Sequence, residues 1–436
     1  MFGISVGVGN TIGGGILRTP GEVAGYLGNV WMIVVVWIVG GIYALLCAVS
    51  VTELGAMLPR DGGWYVYSRR AFGERVGFIV GCCDWVMQSV ADAFLAVAFG
   101  EFAVALFPVL GSHVTLVAAC AFTGIVLVNW IGLKAGSWAQ EITSLAKAVG
   151  LLGLVVSAFI ISPNAAYSTS VVSTFVAAKH GVLWGLILAL QGVVVTYDGW
   201  YAPIYFLEED KDPAKNLPRS MIGTTVSCIA IFLLVNAAFI WVLGVKQLGS
   251  SQMPAADVSM LLFGAYGKRF ILLISAITVI SSLNAGVLFS PRILYAMAND
   301  GLLPEGIAAV NRGGTPGPAL LLCFLVTFSL ILIGSFETLI AIVSVLFVAV
   351  YLSGFVALLV LRKREPSLHR PYKAWWYPWS TVFVIIASAA FLIGSVLEDL
   401  KHALFTAVLV LLTYLASLFV VRPGKVSAPA IDVQDR

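Results

Sequence analysis

Apolar residues fall into twelve long runs, near 2–26, 29–58, 76–108, 113–133, 139–161, 181–206, 220–244, 269–297, 317–335, 337–361, 376–397 and 402–421, and the charged residues gather between them. A helix rises 1.5 Å per residue, so roughly 20 apolar residues cross a hydrocarbon core of about 30 Å. The pattern therefore predicts an all-α chain of about twelve transmembrane helices. Between the runs, 59–75 mixes aromatic residues with arginines and predicts an amphipathic piece at headgroup level. The stretch 245–268 predicts a short outer helix around Val258–Phe263. The stretch 162–180 is rich in Ser, Thr and Ala and predicts an outer loop, and 422–436 predicts a polar, disordered tail.

Two runs are broken in the same way, five segments apart. The first break is Ile12-Gly13-Gly14-Gly15-Ile16; the second is Tyr197-Asp198-Gly199-Trp200, followed by Pro203. Each glycine costs a helix interior about 1 kcal/mol. In lipid, unwound backbone survives only where protein covers it or it lines a cavity. Paired breaks at matching places in two halves point to the substrate site of a transporter. The halves are 1–161 and 181–361, each of five helices. Five is odd, so the second half runs inverted in the membrane. The helices of 376–421 lie outside both halves and contain no break.

Composition agrees with this pattern. Of 436 residues, 60% are hydrophobic and 11% charged, a balance that lipid solvates and water does not. Of the 25 Lys and Arg, five (Lys179, Lys246, Lys268, Arg269, Lys401) fall in predicted outer loops. Two, Arg18 and Lys147, lie inside apolar runs, and the other eighteen lie in inner loops and the tail. The positive-inside rule then puts both termini in the cytoplasm of an inner or plasma membrane. All six cysteines fall in apolar runs, which predicts packing and no disulfide framework. No charged residue precedes Arg18, and only about 12 residues lie before the first break, half a crossing by rise per residue. That predicts further residues ahead of Met1.

Some functions are excluded. Gly13-Gly14-Gly15 follows no strand and precedes no Gly-Lys-Ser/Thr, so it is no nucleotide loop. The four histidines are scattered over loops and helix ends, and no catalytic or metal-ligating cluster is legible. No cofactor and no nucleic-acid partner is expected.

Four stretches together resemble the amino acid–polyamine–organocation (APC) superfamily. They are Gly9-Asn10-Thr11-Ile12-Gly13-Gly14-Gly15-Ile16; Glu53 to Tyr67, with Pro-Arg-Asp-Gly-Gly-Trp-Tyr at its centre; Tyr197 to Arg219; and Arg292 to Pro304. The likeness covers nearly the whole chain and is strongest toward the L-amino-acid transporter branch and its bacterial exchangers. It implies the LeuT-type 5+5 inverted repeat with broken helices one and six, plus two extra helices. It also implies secondary active amino acid transport by alternating access, as a sodium-independent exchanger or in proton-coupled uptake. The rival reading is a non-transporting amino acid sensor on the same scaffold. In two places the chain departs from its relatives. The loop that carries a heavy-chain cysteine in animal members is Gly111-Ser112-His113 here, so no disulfide-linked heavy chain is expected. Val195 stands where many relatives have a large aromatic, leaving room for a bulkier substrate.

The site follows from the breaks. The helix restarting near Gly14 offers free N–H groups to a carboxylate, and glycine lets a ligand approach the backbone. Free carbonyls near Thr11, Ile12, Val195 and Asp198 suit an ammonium. Tyr197 and Trp200 line the second break, where Asp198 either binds a substrate amine or caps the backbone. Close packing of small residues is the alternative reading of the glycines. Lys147 lies mid-helix at a cost of about 3 kcal/mol and is a functional residue by default. In some relatives a lysine here replaces the sodium ion, with Ser281, Ser282 and Asn284 beside it. Asp84, Asp92 and Glu101, spaced by eight and nine residues, fall on one helix face. Glu53, Arg60, Arg292 and Asp300 are expected to form an inner gate or anchor loops.

Overall fold

The computed structural model describes residues 2–161, 181–333, 336–398 and 400–421. The outer loop expected at 162–180 and the polar tail expected at 422–436 lie outside them. The described residues are helical throughout: α1 (Phe2–Thr11), α2 (Gly15–Leu27), α3 (Val30–Met57), α4 (Trp64–Phe72), α5 (Glu74–Leu106), α6 (Val114–Ile131), α7 (Leu133–Ile161), α8 (Val182–Thr196), α9 (Pro213–Ser250), α10 (Pro254–Phe263), α11 (Ala265–Asn299), α12 (Gly317–Ile333), α13 (Phe336–Arg364), α14 (Trp379–Glu398) and α15 (Leu400–Val420). Among them nine are long and apolar enough to cross a membrane: α3, α5, α6, α7, α9, α11, α13, α14 and α15. The other three predicted runs appear as the α1/α2 pair, α8 with its irregular tail, and α12.

Local chemistry sets the boundaries. Asn29 caps α3, its side-chain oxygen accepting from Trp31 N at 2.9 Å and Met32 N at 3.3 Å. The amphipathic piece expected in 59–75 is α4, which starts after Gly63 at φ +57°. Gly63 allows no side chain, because a Cβ there would lie 2.4 Å from the Tyr205 ring. The outer helix expected in 245–268 is α10 together with the last turn of α9, which kinks at Gly244.

The second break departs from expectation. The apolar run to 206 predicts helix on both sides, but α8 stops at Thr196, and only a 3-10 turn, Ala202–Tyr205, follows. Gly199 takes φ +110°, and Pro203 has no N–H with which to rebuild an α-turn. The segment therefore stays irregular until Pro213.

α11 is the most enclosed of the spanning helices and packs along α5; α14 and α15 are the least enclosed. On α5 the predicted acidic face divides. Asp84 and Asp92 are buried, whereas Glu101, nearer the other end, is exposed.

Candidate functional site

The two breaks meet. Gly199 lies on the Asn10–Thr11 peptide so closely that an added Cβ would sit 2.7 Å from Asn10 C and 2.8 Å from Thr11 N. Asn10 Nδ2 donates to Gly199 O at 3.3 Å. Next to this junction the first break stays open. Gly13, Gly14 and Gly15 are part-exposed although Thr11, Ile12, Ile16 and Leu17 are buried. A Cβ on Gly14 would meet nothing within 4 Å, while one on Gly13 would only reach Ser282 Oγ at 4.0 Å. The space beside Gly14 thus lies at the N-terminus of α2, an end whose first amides lack helical partners. Gly15 is different: it backs onto Thr196, whose Oγ1 would be 3.1 Å from a Cβ. Thr196 Oγ1 lies 2.8 Å from both Gly192 O, which can only accept its one proton, and Thr19 Oγ1, and so ties α2 to α8.

The carbonyl end of α1 is already occupied. Fully buried Lys147 crosses from α7 and donates from Nζ to Gly9 O and, at 2.7 Å, to Ile12 O. Ser282 Oγ adds a bond to Gly9 O at 3.1 Å, and Ser144 Oγ binds Ser5 O at 2.9 Å. Carbonyls freed by the break therefore meet a fixed ammonium, the job a bound cation would do. Ile12 O keeps a second lone pair beyond the bond from Lys147. Ser281 lies one step back, with its Oγ 3.4 Å from both Ser144 Oγ and Gln140 Nε2. Gln140 also accepts from Asn284 Nδ2 at 2.9 Å, and Asn129 Nδ2 donates to Asn284 Oδ1 at 2.9 Å. This amide chain, which locks α6 and α7 to α11, has no sequence signature beyond isolated polar residues in apolar helices.

At the second break, Asp198 accepts from Tyr351 OH at 2.9 Å. It caps no helix, since none restarts there. Tyr197 and Trp200 are buried in packing: Tyr197 OH donates to Trp37 O at 3.3 Å, and Trp200 sits edge-on to Trp64 and Tyr201. Val195 is 38% exposed, the most open of the second-break residues singled out above. Next to the junction lies an aromatic plug that no sequence pattern marks. Trp64 stacks on Tyr351 at 4.6 Å, Tyr205 stacks on Phe289 at 4.9 Å, and Tyr201 lies between them. Tyr205 OH reaches both oxygens of Asp84, at 2.9 and 2.8 Å, and Gln88 links Asp84 to Tyr201 OH.

Beneath the plug lies a face dense in ion pairs. Arg60 and Arg69 both hold Asp300, at 3.0 and 2.8 Å, and Tyr65 OH donates to it at 2.9 Å. Arg292 holds Glu209 at 2.5 Å. Glu53, fully buried, takes Arg362 on both oxygens, Arg370 at 3.3 Å and the Ala374 N–H at 2.7 Å. The four charges expected in gating or anchoring are all engaged here: Arg60 and Asp300 with each other, Arg292 and Glu53 with partners outside the four.

A model of the family described as amino acid permease matches residues 1–414. The chain belongs to that family. Among the permease's relatives, the serine/threonine exchanger SteT of Bacillus subtilis (strain 168) is 27% identical over 402 residues, 91% of this chain and 90% of that protein. Asc-type amino acid transporter 1 of Mus musculus is 28% identical over 374 residues, 84% of this chain and 70% of that one. Large neutral amino acids transporter small subunit 2 of Oryctolagus cuniculus is 29% identical over 388 residues, with the same coverage of 84% and 70%. The resemblance to the APC superfamily and its L-amino-acid transporter branch is thereby borne out, and so is a membrane transporter in place of an enzyme. The sensor reading finds no support among the relatives.

Proposed function

We propose that this permease moves neutral amino acids across the membrane by alternating access, without sodium, in exchange for a second amino acid. One observation carries the reading. A Cβ on Gly14 would meet nothing within 4 Å where α1 ends and α2 begins, a junction whose free amides and carbonyls suit a zwitterion, while Lys147 stands where a coupling cation would otherwise neutralise the carbonyl end. Relatives named as exchangers of serine and threonine, or as transporters of large neutral amino acids, support the substrate class.

In this reading Thr11, Ile12, Gly13, Gly14 and Gly15 bind the substrate backbone. Val195 and Asp198 face its side chain, with Tyr197 and Trp200 as supporting walls. Ser281 and Ser282 hold Lys147 and α1 in register. Residues 1–161 and 181–361 act as inverted repeats, and both termini lie in the cytoplasm with the basic, ion-paired face. Gly111-Ser112-His113 offers no thiol to a heavy chain. Proton-coupled uptake is the second reading, favoured by one observation: the buried Lys147 ammonium pairs with carbonyls and no carboxylate.

Reconstitution tests both. Liposomes loaded with unlabelled amino acid should take up labelled serine, threonine or leucine, with no stimulation by a sodium gradient. Empty liposomes should take up little. Uptake into empty vesicles driven by an inward proton gradient would favour the second reading, and no transport of any amino acid would overturn the proposal.

A further inference from the structure

Arg292 is asked to serve two carboxylates and can satisfy only one. Its Nε and Nη2 both donate to Glu209 Oε1, at 3.1 and 2.5 Å, and its Nη1 is committed to Leu288 O. The ring of Phe206 covers the guanidinium face at 4.4 Å. Asp61, 4% exposed in the loop between α3 and α4, stays 4.0 Å from Arg292 Nε. Its one close donor is the Glu208 N–H at 2.9 Å. The other charged and titratable groups facing it are Glu208 and Glu209 on the segment after the second break and Tyr67 on α4. Neighbouring Arg60 is taken by Asp300 and Glu208. Two carboxylates, buried Asp61 and part-exposed Glu209, thus compete for one spent cation between three chain segments.

We propose that Asp61 is a proton-binding latch on the basic face, and that taking up one proton holds α11 against residues 206–212 and slows opening of that face. The latch rests on the alternating-access reading for its effect on transport. The physical reason is linkage. Burial, opposed by Arg292 and the Glu208 N–H, pushes the Asp61 carboxyl up to about 7 in the closed arrangement. Parting α11 from 206–212 wets it and returns it toward an ordinary carboxylate value of about 3.9. The closed arrangement therefore binds more protons, so acid favours closure and alkali favours opening. Between about pH 8 and pH 6 the closed-to-open ratio rises about tenfold.

Two measurements test it on the full-length chain. In liposomes held at constant outer pH, exchange of labelled L-serine should fall up to about tenfold as inner pH drops from about 8 to about 6. D61N keeps the acceptor for Glu208 N–H without the charge, so it should run at the slow, acid-like rate at both pH values. In purified protein, amide hydrogen exchange of 206–212, corrected for its chemical rate, should show more protection at the acid pH, and in D61N no change. A wild-type rate indifferent to inner pH, an unaltered profile in D61N, or weaker protection in acid would each overturn the latch. Should wild type transport none of the amino acids tested, the transport reading fails and the hydrogen-exchange arm still decides the latch.

Discussion

Lys147 Nζ donates to Ile12 O at 2.7 Å, so the broken end of α1 is closed by an ammonium delivered from α7. Gly9 O takes a second bond from the same nitrogen. In the proposed reading this ammonium takes the place of a sodium ion at this end of the helix. Replacing external sodium by choline should leave the exchange rate in liposomes unchanged. A steep sodium dependence in wild type would falsify the cation-substitution role. Lys147→Met removes both donors; Gly9 O keeps Ser282 Oγ, but Ile12 O loses the ammonium, an omission costing about 1–3 kcal/mol. Its melting temperature in detergent should fall by several degrees, and its transport should be lost.

Gly14 and Gly199 should respond to a side chain in opposite ways. A Cβ on Gly14 enters open space, so Gly14→Val should fold and insert normally yet lose the thermal shift that substrate gives wild type. A variant that keeps wild-type affinity would remove Gly14 from the carboxylate site. Gly199 has φ +110° and no room. Gly199→Ala should therefore lower stability by roughly 1–3 kcal/mol before any question of binding arises, as read from denaturation of the purified protein.

Val195→Phe should separate substrates by size. The residue is apolar and part-exposed beside the second break. Overfilling a packed site costs about 1–3 kcal/mol, a tenfold loss or more for leucine, with alanine and serine little affected. Competition of each amino acid against labelled serine measures this. Equal losses for large and small competitors would show that Val195 faces away from the ligand.

Glu53 should be the costliest charge to neutralise. It is fully buried and gathers Arg362, Arg370 and the Ala374 N–H. Removing one partner of such a buried group costs about 3–5 kcal/mol. Glu53→Gln should lose thermal stability and loosen residues 365–378 to protease, and a melting curve overlapping wild type would contradict this.

Much of the fold was legible because lipid imposes a simple code: apolar runs of sufficient length and breaks rich in glycine. The span of α3 or α11 needs little more than that. The restart after the second break was not legible, since the apolar run to 206 is compatible with helix and only the dihedral angle of Gly199 and the missing N–H of Pro203 rule it out. Site chemistry was readable where one residue stands out, as Lys147 does in an apolar helix. Its partners were not, because Gly9 and Ile12 contribute backbone oxygens that no side-chain pattern marks. The pairing of charges was likewise hidden. Glu53 finds Arg362 across 309 positions, and nothing local distinguishes that arginine from its neighbours Lys363 and Arg364.

The seating of Gly199 on the Asn10–Thr11 peptide has one more consequence. With no slack even for a methyl group, the two breaks cannot close on each other any further. The molecule has at this point one knuckle assembled from two distant pieces of chain, so whatever presses on either piece presses on both.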